Sequence, residues 1–399
     1  ATSSTALNTS DVTVTTTNNV SSHGSNGDNG SHGDITLSSA INKTGAAETT
    51  LTLQAARHIA INANLGSTGG KLNLHLWADT DNSGDGINQV SAQSISTNGG
   101  WLRFGNNQTA TINGVSTKVG GDVFFNGASA QTINTAGGQV DVYGETILSN
   151  PLGLTVNSAG GNVTLHGVLN SGNSYTFVNK TGDTAHDWDW ARSNAKDGTA
   201  GGSAVGHSYL VNIGSRLENS IAGLTAGYRG AWIGAWRPDP NNYAWQWADG
   251  PEAGTTFFTQ AGTSGGGTTA TGAYANFGSG EPNGVLNPTR AGTETVGQFY
   301  GTAGQWNDLT HTTQFSTTQT GMHSVLGYVR ETNLGNSPLT VNAGTGAVAF
   351  GGAVGGSKAL ASLNVSAAST VVNGNALVTS GTQTYNNSLT VNASGDLNV

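Results

Sequence analysis

The sequence predicts a mostly β protein in which a right-handed parallel β-helix is interrupted by an α+β domain. Two observations lead to this fold class. Short strands that alternate apolar and polar residues recur beside glycine-rich turns in both flanks of the 399-residue chain. The middle differs, because it holds seven of the nine Trp residues, five of the seven Pro residues and the only Met. We therefore expect a β-helix over residues 1–173 and 335–399 and a separate domain over 174–334.

The first flank repeats a glycine-rich turn followed by a short strand. Three such strands start at Val123, Val140 and Val163, which lie 17 and 23 residues apart. This spacing is near the repeat of about 20 residues found in stacked solenoids. Strands this short cannot form a stable sheet alone, but in stacked coils each strand pairs in parallel with the strands above and below it.

The second flank has the same texture as the first. Leu339–Asn342 reads Leu-Thr-Val-Asn, as does Leu154–Asn157, and in each case a small-residue turn leads to a valine at the same offset. Two halves of one solenoid are therefore expected to flank the middle domain.

Composition excludes several classes of protein. Charged residues make up only 9% of the chain, the net charge is −9, and no cluster of Lys and Arg with interleaved aromatic residues occurs, which argues against nucleic acid as a partner. No apolar run is long enough to insert into a membrane. The absence of cysteine excludes thiol catalysis and fits a large bacterial surface protein. The first residues do not read as a signal peptide, so we expect a piece of a longer secreted or cell-surface protein.

Three stretches of the flanks carry a family resemblance. They are Gly-Asp-Ile-Thr-Leu at 33–37, Ile-Ala-Ile-Asn-Ala-Asn at 59–64 and Gly-Thr-Gly-Ala-Val at 344–348. With the surrounding repeats, over about 33–170 and 338–399, they resemble the filamentous-haemagglutinin-like adhesins that bacteria export by two-partner secretion. The resemblance implies a β-helical stalk that projects binding regions away from the cell.

The middle domain is predicted to contain two helices. Helical patterns occur at 188–195 and 215–222, and Asp187 is placed to cap the first of them. Trp188 and three later tryptophans, Trp232, Trp247 and Trp306, are interpreted as core residues.

Four motifs occur in the middle domain in a telling order. They are Ala-Trp-Ile-Gly at 231–234, Trp-Gln-Trp-Ala-Asp-Gly at 245–250, Gly-Glu-Pro-Asn-Gly at 280–284 and Gln-Trp-Asn-Asp at 305–308. Together with the closing strand at 327–331 they resemble the C-type lectin-like domain, with its WIG core strand, EPN loop and WND strand. The resemblance spans nearly the whole middle domain.

The oxygen-bearing residues of two motifs suit a calcium ion. Ca²⁺ takes six to eight oxygen ligands, and Glu281, Asn283, Asn307 and Asp308 offer two carboxylates and two amides. The family resemblance implies one more acidic ligand between the motifs, and Glu294 is the best positional match. These five residues are the predicted metal ligands and, at the same time, the predicted carbohydrate-binding residues.

The resemblance also implies the kind of sugar. In the family the peptide bond before the proline of the EPN motif is cis, so Glu281–Pro282 is expected to be cis. Two vicinal hydroxyls of a mannose-, glucose- or fucose-like sugar would complete the calcium shell and exchange hydrogen bonds with the carboxylates and amides. Gly284 stands where many relatives have Asn or Asp, which disfavours an auxiliary calcium site.

A second acidic stretch is a weaker calcium candidate. Residues 79–86, Asp-Thr-Asp-Asn-Ser-Gly-Asp-Gly, resemble the first half of a calcium loop, but the twelfth position is Val90 instead of the expected Glu. A turn of the solenoid rich in Asp and Gly is the alternative interpretation.

The sequence thus predicts an extracellular, monomeric, non-enzymatic adhesin that binds glycans of a host or of a biofilm matrix through Ca²⁺. One alternative is a structural rod whose insert binds protein, or whose threonine-rich coils bind ice. Another is a β-helix polysaccharide lyase, but the solenoid is too poor in charge to predict the cluster of acidic and basic residues that such enzymes carry on one face.

Overall fold

The structure, a computed structural model, is mostly β and divides into two compact units. We call the described residues up to 172 and from 334 onward the parallel-sheet unit, and those between 173 and 333 the insert. Among the residues described, no helix is both long enough and apolar enough to span a membrane. The described residues are 2–17, 33–112, 115–118, 120–197, 204–286, 292–300, 304–318 and 324–392.

The first segment of the parallel-sheet unit begins with a short helix, α1 (Thr2–Leu7), whose Leu7 is buried in the core of the unit. Short strands follow. They are β1 (Val12–Thr15), β2 (Ile35–Leu37), β3 (Ile41–Lys43), β4 (Thr49–Gln54), β5 (Ile59–Ile61), β6 (Leu65–Ser67), β7 (Leu72–Trp77), β8 (Asn88–Val90), β9 (Ser94–Ser96), β10 (Leu102–Phe104), β11 (Thr109–Ile112), β12 (Val115–Lys118), β13 (Val123–Phe125), β14 (Gln131–Asn134), β15 (Val140–Val142), β16 (Thr146–Leu148), β17 (Leu154–Asn157), β18 (Val163–Leu165) and β19 (Leu169–Ser171).

The insert contains the two other helices of the described residues and nine strands. In chain order these are β20 (Ser174–Asn179), α2 (Trp188–Ala195), β21 (Ser208–Leu210), α3 (Arg216–Ala226), β22 (Ala231–Trp236), β23 (Ala244–Trp247), β24 (Thr256–Gln260), β25 (Gly267–Thr269), β26 (Glu294–Tyr300), β27 (Gln305–Thr310) and β28 (Gly327–Thr332).

The second segment of the parallel-sheet unit adds six strands, which are β29 (Leu339–Asn342), β30 (Ala347–Phe350), β31 (Leu363–Ser366), β32 (Ser369–Val372), β33 (Gln383–Tyr385) and β34 (Ser388–Val391).

Three long parallel sheets build the parallel-sheet unit. Sheet 1 has the order β1-β4-β7-β10-β15-β18-β30-β32-β34, sheet 2 the order β3-β6-β9-β14-β17-β29-β31-β33, and sheet 3 the order β19-β16-β13-β8-β5-β2. Successive strands of a sheet therefore come from successive passes of the chain, an arrangement compatible with a β-helix. Strands β11 and β12 do not join these three sheets and instead form a separate antiparallel pair.

The two flanks join directly in register. Strand β17 pairs with β29 so that Leu154 lies beside Leu339 and Asn157 beside Asn342, and β18 likewise pairs with β30. The Asn342 side-chain amide donates to Oδ1 of Asn157 at 2.8 Å, across 185 residues of sequence. The repeated Leu-Thr-Val-Asn segment is therefore a pair of stacked neighbours, and the sheets continue from one flank into the other.

One interpretation of the repeat spacing was wrong. Val140 and Val163 are neighbours in sheet 1, so their 23-residue separation is a true coil repeat. Val123, however, lies on β13 in sheet 3, and the 17-residue interval joins two different sheets. The error arises because glycine-rich turns precede strands in both sheets.

A column of glycines explains the recurring Gly-Gly turns. A Cβ atom on Gly138 would lie 1.8 Å from the carbonyl oxygen of Gly100, and one on Gly161 would lie 2.1 Å from the carbonyl oxygen of Gly138. Gly346 stands in the same relation to Gly161, at 2.3 Å. Each of these turns therefore stacks on the one before it only because no side chain intervenes.

Alternation along the strands fills the core of the parallel-sheet unit. On β4, for example, Leu51 and Leu53 are buried while Thr52 between them is half-buried on the other face. Burying a leucine of this kind stabilises the fold by about 1.5–3 kcal/mol. The core runs through both flanks and includes Val156 from the first and Val341 from the second.

The insert is built on an antiparallel sheet with two capped helices. The main strand order is β20-β28-β22-β23-β24-β25, and β26 pairs with β22 and β27. The Asp187 side chain accepts a hydrogen bond from the Trp190 amide and caps α2, as predicted. Ser215 caps α3 in the same way, and Gly227 ends that helix in the left-handed conformation.

Tryptophans dominate the core of the insert. Trp188, Trp232, Trp245 and Trp306 are fully buried, and Trp247 is nearly so, which confirms the core interpretation for the four that were assigned to it. The indole N–H of Trp188 donates to the carbonyl of Ile233 at 3.0 Å. The Trp188 indole therefore buries a large apolar area and still finds a polar partner.

Candidate divalent-cation site in the insert

A short loop before β26 carries the first two predicted ligands. The loop is fixed by backbone hydrogen bonds, from the Glu281 amide to the Gly278 carbonyl and from the Gly266 amide to the Glu281 carbonyl, both at 3.0 Å. The Glu281–Pro282 peptide bond is cis, as expected from the family resemblance. The Asn283 side-chain amide donates to Oε2 of Glu281 at 2.7 Å, so the two predicted ligands lie side by side.

Asp308 on β27 joins this loop to the sheet. Its Oδ1 accepts a hydrogen bond from the backbone amide of Asn283 at 3.1 Å, and its Oδ2 accepts one from the backbone amide of Gly284 at 2.8 Å. The Asp308 side chain is fully buried, and it also shares a hydrogen bond with the Glu281 carboxyl group. One carboxyl group thus holds the loop and contacts another predicted ligand.

Gly284 allows this close approach. A Cβ atom at position 284 would lie 2.9 Å from Oδ2 of Asp308 and 2.3 Å from the carbonyl oxygen of Glu294. The glycine that departs from the family pattern is therefore required by the way the loop lies against β26 and β27.

The carboxyl groups of this region disfavour one another's ionisation. Burial, followed by the neighbouring Asp308 carboxylate, raises the pKa of Glu281 to about 7. The same two causes raise the pKa of Glu294 to about 7. Burial also raises the pKa of Asp308, although the Gly284 and Asn283 amides oppose that shift. The uptake of a proton or a cation relieves this repulsion and lowers the free energy of such a cluster.

Asn307 is the fifth predicted ligand. It is 2% exposed, directly precedes Asp308 on β27, and pairs through its backbone with Gln298 on β26. The contacts described above connect Glu281, Asn283 and Asp308 directly and Glu294 electrostatically. Asn307 lies next to Asp308 on the same strand, and the role of all five residues as ligands stays a prediction.

Arg237, which the sequence analysis did not single out, supports the loop from beneath. The side chain is fully buried and follows β22 directly. Its guanidinium donates to the carbonyl oxygens of Gly284 at 3.2 Å, Val285 at 2.8 Å and Glu294 at 3.2 Å. Burial lowers the pKa of Arg237, while the Asp308 carboxylate opposes that shift. A lone Arg next to an apolar strand was the signal in the sequence.

Gln260 is a second supporting residue that the sequence did not reveal. It is nearly fully buried at the end of β24, and its side-chain amide donates to the Gly284 carbonyl at 2.9 Å and to the Gly262 carbonyl at 2.8 Å. The Gly284 carbonyl therefore accepts hydrogen bonds from both Arg237 and Gln260.

The acidic stretch at 79–86 forms a turn closed by its own hydrogen bonds. The Ser83 hydroxyl lies 2.9 Å from Oδ1 of Asp79 and 2.6 Å from Oδ1 of Asp85, and the Gly84 amide donates to Asp79 at 3.0 Å. Both carboxyl groups are buried, whereas Asp81 is exposed. This arrangement favours the interpretation as a solenoid turn.

Within the described ranges, no three or more His, Cys, Asp or Glu side chains form a metal-binding group by themselves. The three predicted carboxylate ligands, Glu281, Glu294 and Asp308, do not form such a group in this structure, and their role as ligands stays a prediction. No protein-family model matches the chain, and the search of curated proteins returns no match.

Proposed function

We propose that the chain is part of a secreted or cell-surface bacterial adhesin that binds glycans through Ca²⁺ held in the insert. In this proposal the insert has a C-type lectin-like fold, and the parallel-sheet unit is a right-handed β-helix of the filamentous-haemagglutinin-like, two-partner-secretion class. The protein acts as a monomer, binds without turnover, and meets its ligand outside the cell.

The observation that carries the proposal is the convergence on Asp308. Its carboxyl group accepts hydrogen bonds from the backbone amides of Asn283 and Gly284. The same carboxylate lies close enough to the carboxyl groups of Glu281 and Glu294 to raise the pKa of both. Segments 25 residues apart in sequence are thereby brought to one place.

The donor chemistry of this place fits Ca²⁺. Glu281, Glu294 and Asp308 supply carboxylates and Asn283 and Asn307 supply amide oxygens, all of which are hard ligands of the kind that Ca²⁺ prefers. Burial and the neighbouring Asp308 carboxylate raise the pKa of Glu281 and of Glu294 to about 7, so a cation that compensates these charges is favoured here. A bound Ca²⁺ supplies the compensating charge and leaves coordination positions for ligand oxygens.

Sugar hydroxyls suit those positions. A hydroxyl can coordinate the ion with one lone pair while it donates to a carboxylate and accepts from an amide N–H. Carboxylates and amides alternate among the five residues, so each of two neighbouring hydroxyls can find both kinds of partner. The Glu-Pro-Asn order of the loop supports a mannose-, glucose- or fucose-type ligand within the family resemblance.

The test is a glycan array probed with the full chain in Ca²⁺ and again in EGTA. We expect binding to mannose-type glycans in Ca²⁺ and its loss in EGTA. The double variant Glu281→Gln with Asn283→Asp is expected to shift preference toward galactose-type glycans. Asp189→Asn, which removes an exposed carboxylate from α2 of the same unit, is the matched control and should behave as the wild type.

Two results would contradict the proposal. The first is array binding that EGTA does not change. The second is a double variant with unaltered specificity although its circular dichroism and melting match those of the wild type.

A further inference from the structure

The outward face of sheet 1 carries an unusual group of side chains. Arg103 on β10 pairs in register with His75 on β7 and with Asp141 on β15, and Asp141 pairs with Thr164 on β18. Aromatic residues occupy neighbouring outward positions on the same passes of the chain. We call this group the aromatic patch, and it consists of Trp77, Trp101, Arg103, Asp141, Tyr143 and His166.

The members of the patch contact one another across successive strands. The guanidinium carbon of Arg103 lies 5.1 Å from the ring centroid of Trp101 and 5.9 Å from that of Tyr143. The rings of Tyr143 and His166 stack at 4.4 Å with an interplanar angle of 12°. Trp77 stacks in turn with His75, at 5.9 Å. The His75 ring in turn lies edge-on to the Trp101 ring at 6.4 Å, so through His75 the patch is continuous from β7 to the end of β18.

The low charge of the solenoid did not predict this small group of ionisable side chains. Oδ2 of Asp141 lies 3.8 Å from a guanidinium nitrogen of Arg103, and its Oδ1 lies 3.8 Å from Nε2 of His166. The side chains of Arg103 and His166 are each 34% exposed. Both distances exceed a hydrogen bond, and Oδ2 of Asp141 accepts one from Nε2 of Gln139 at 2.9 Å. A carboxylate can accept several hydrogen bonds and the Arg103 side chain is partly exposed, so both groups can still bond to a ligand.

The core does not require these residues. On β10 and β15 the inward positions are Leu102, Phe104, Val140 and Val142, all buried, whereas the patch uses the alternate positions. Many outward positions on other strands of the unit are small and polar, such as Thr52 and Thr155. The two tryptophans of the chain that lie outside the insert both belong to the patch. Such a concentration on a surface indicates a binding role.

We propose that the aromatic patch is a second, calcium-independent binding surface, and that its ligand is an extended neutral polysaccharide lying along the stack of strands. The charges of Arg103 and Asp141 cancel, so a polyanion would meet the carboxylate and a cation would meet the guanidinium. Neutral sugars present hydroxyls that both donate and accept, together with apolar ring faces that suit aromatic side chains. Four strands span three intervals of about 4.8 Å, or about 14 Å, which is enough for a short run of sugar rings.

The experiment is affinity electrophoresis of the full chain in native gels containing EGTA. The neutral probes are dextran, laminarin, mannan, galactomannan and xyloglucan, and the anionic probes are polygalacturonate and single-stranded DNA. The chelator removes any calcium-dependent contribution of the insert. We expect at least one neutral polymer to retard the wild type, and Glu281→Gln with Asn283→Asp to be retarded equally.

Two variants test the patch itself. Trp101→Ala with Tyr143→Ala, and separately Arg103→Gln, are each expected to weaken the apparent affinity at least tenfold. Lys71→Gln removes an exposed cation from the turn before β7 and should change nothing. Arg103→Gln keeps the test valid if the double variant does not fold.

Three results would overturn the inference. They are no retardation by any neutral polymer in EGTA, equal retardation of the wild type and Arg103→Gln, and stronger retardation by the anionic polymers than by the neutral ones. None of these bears on the calcium-dependent site, so the two proposals can fail separately.

Discussion

Arg237 is expected to hold the loop at 281–286 in its observed conformation, and replacing it with methionine should release that loop. Methionine retains most of the apolar length of the side chain but none of its donors. The Gly284 and Val285 carbonyls, both in the loop, would lose their guanidinium partner. Asp308 would also lose its favourable electrostatic interaction with the Arg237 guanidinium.

The size of the effect follows from the hydrogen bonds that are removed. A hydrogen bond to a charged group contributes about 1.5–3 kcal/mol, so two loop carbonyls together account for at least about 3 kcal/mol. Each 1.4 kcal/mol is a factor of about ten in an equilibrium, so local opening of the loop should become more than about 100-fold more frequent. The Asn283 and Gly284 amides, which donate to Asp308, report that opening directly.

Hydrogen–deuterium exchange measured by mass spectrometry on the peptide covering 278–286 provides the assay. The Arg237→Met protein should exchange these amides more than about 100-fold faster than the wild type, with unchanged exchange in the parallel-sheet unit. Arg229→Met removes another arginine of the insert, one that lies over the Phe177 ring, and serves as the control. Exchange within twofold of the wild type in the Arg237→Met loop would refute the reasoning.

Two further predictions concern the parallel-sheet unit. Burial lowers the pKa of His58 from its usual 6.5 to about 3. Below pH 6.5 the unfolded chain therefore takes up a proton that the folded chain does not. As a result, about 2 kcal/mol of stability should be lost between pH 6.5 and 5. Urea unfolding should show this loss in the wild type and a loss smaller by about that amount in His58→Gln; identical pH dependence would contradict it. Gly161→Ala places a Cβ atom against the Gly138 carbonyl and should cost about 1–3 kcal/mol, seen as a lower melting temperature, whereas unchanged melting would remove the explanation of the glycine column.

Local patterns were sufficient to predict much of the fold. The alternation of apolar and polar residues predicts strands such as Leu154–Asn157 and Leu339–Asn342. Because the two sequences are identical, they were expected to belong to one solenoid, and they are neighbours in one sheet. The cap at Asp187 follows from its position before an apolar helical pattern. These features depend on residues close in sequence, where propensity and periodicity decide the outcome.

The aromatic patch could not be predicted in the same way. Arg103 and Asp141 are neighbours across two strands but lie 38 residues apart, because the β11–β12 pair and the strands of two other sheets intervene. Asp141 and its next neighbour in the sheet, Thr164, lie only 23 residues apart. A solenoid with coils of such unequal length hides which outward residues share a face until the register is known.

Support for the candidate site was hidden for a different reason. The motif residues Glu281, Asn283 and Asp308 stand out as a pattern, but Arg237 and Gln260 act on backbone carbonyls of the loop. Every residue has a backbone carbonyl, so the sequence does not show which carbonyls accept hydrogen bonds from a distant side chain. Only the folded path of the loop reveals them.

The most direct test of the account is a crystal structure of the full chain grown with calcium and a mannoside, with the ion identified by its anomalous scattering. We expect one calcium ion at 2.3–2.6 Å, the usual range for oxygen ligands, from atoms of Glu281, Asn283, Glu294, Asn307 and Asp308, with two sugar hydroxyls completing its shell. Those side chains turned away from one another, with no anomalous peak between them, would contradict the account.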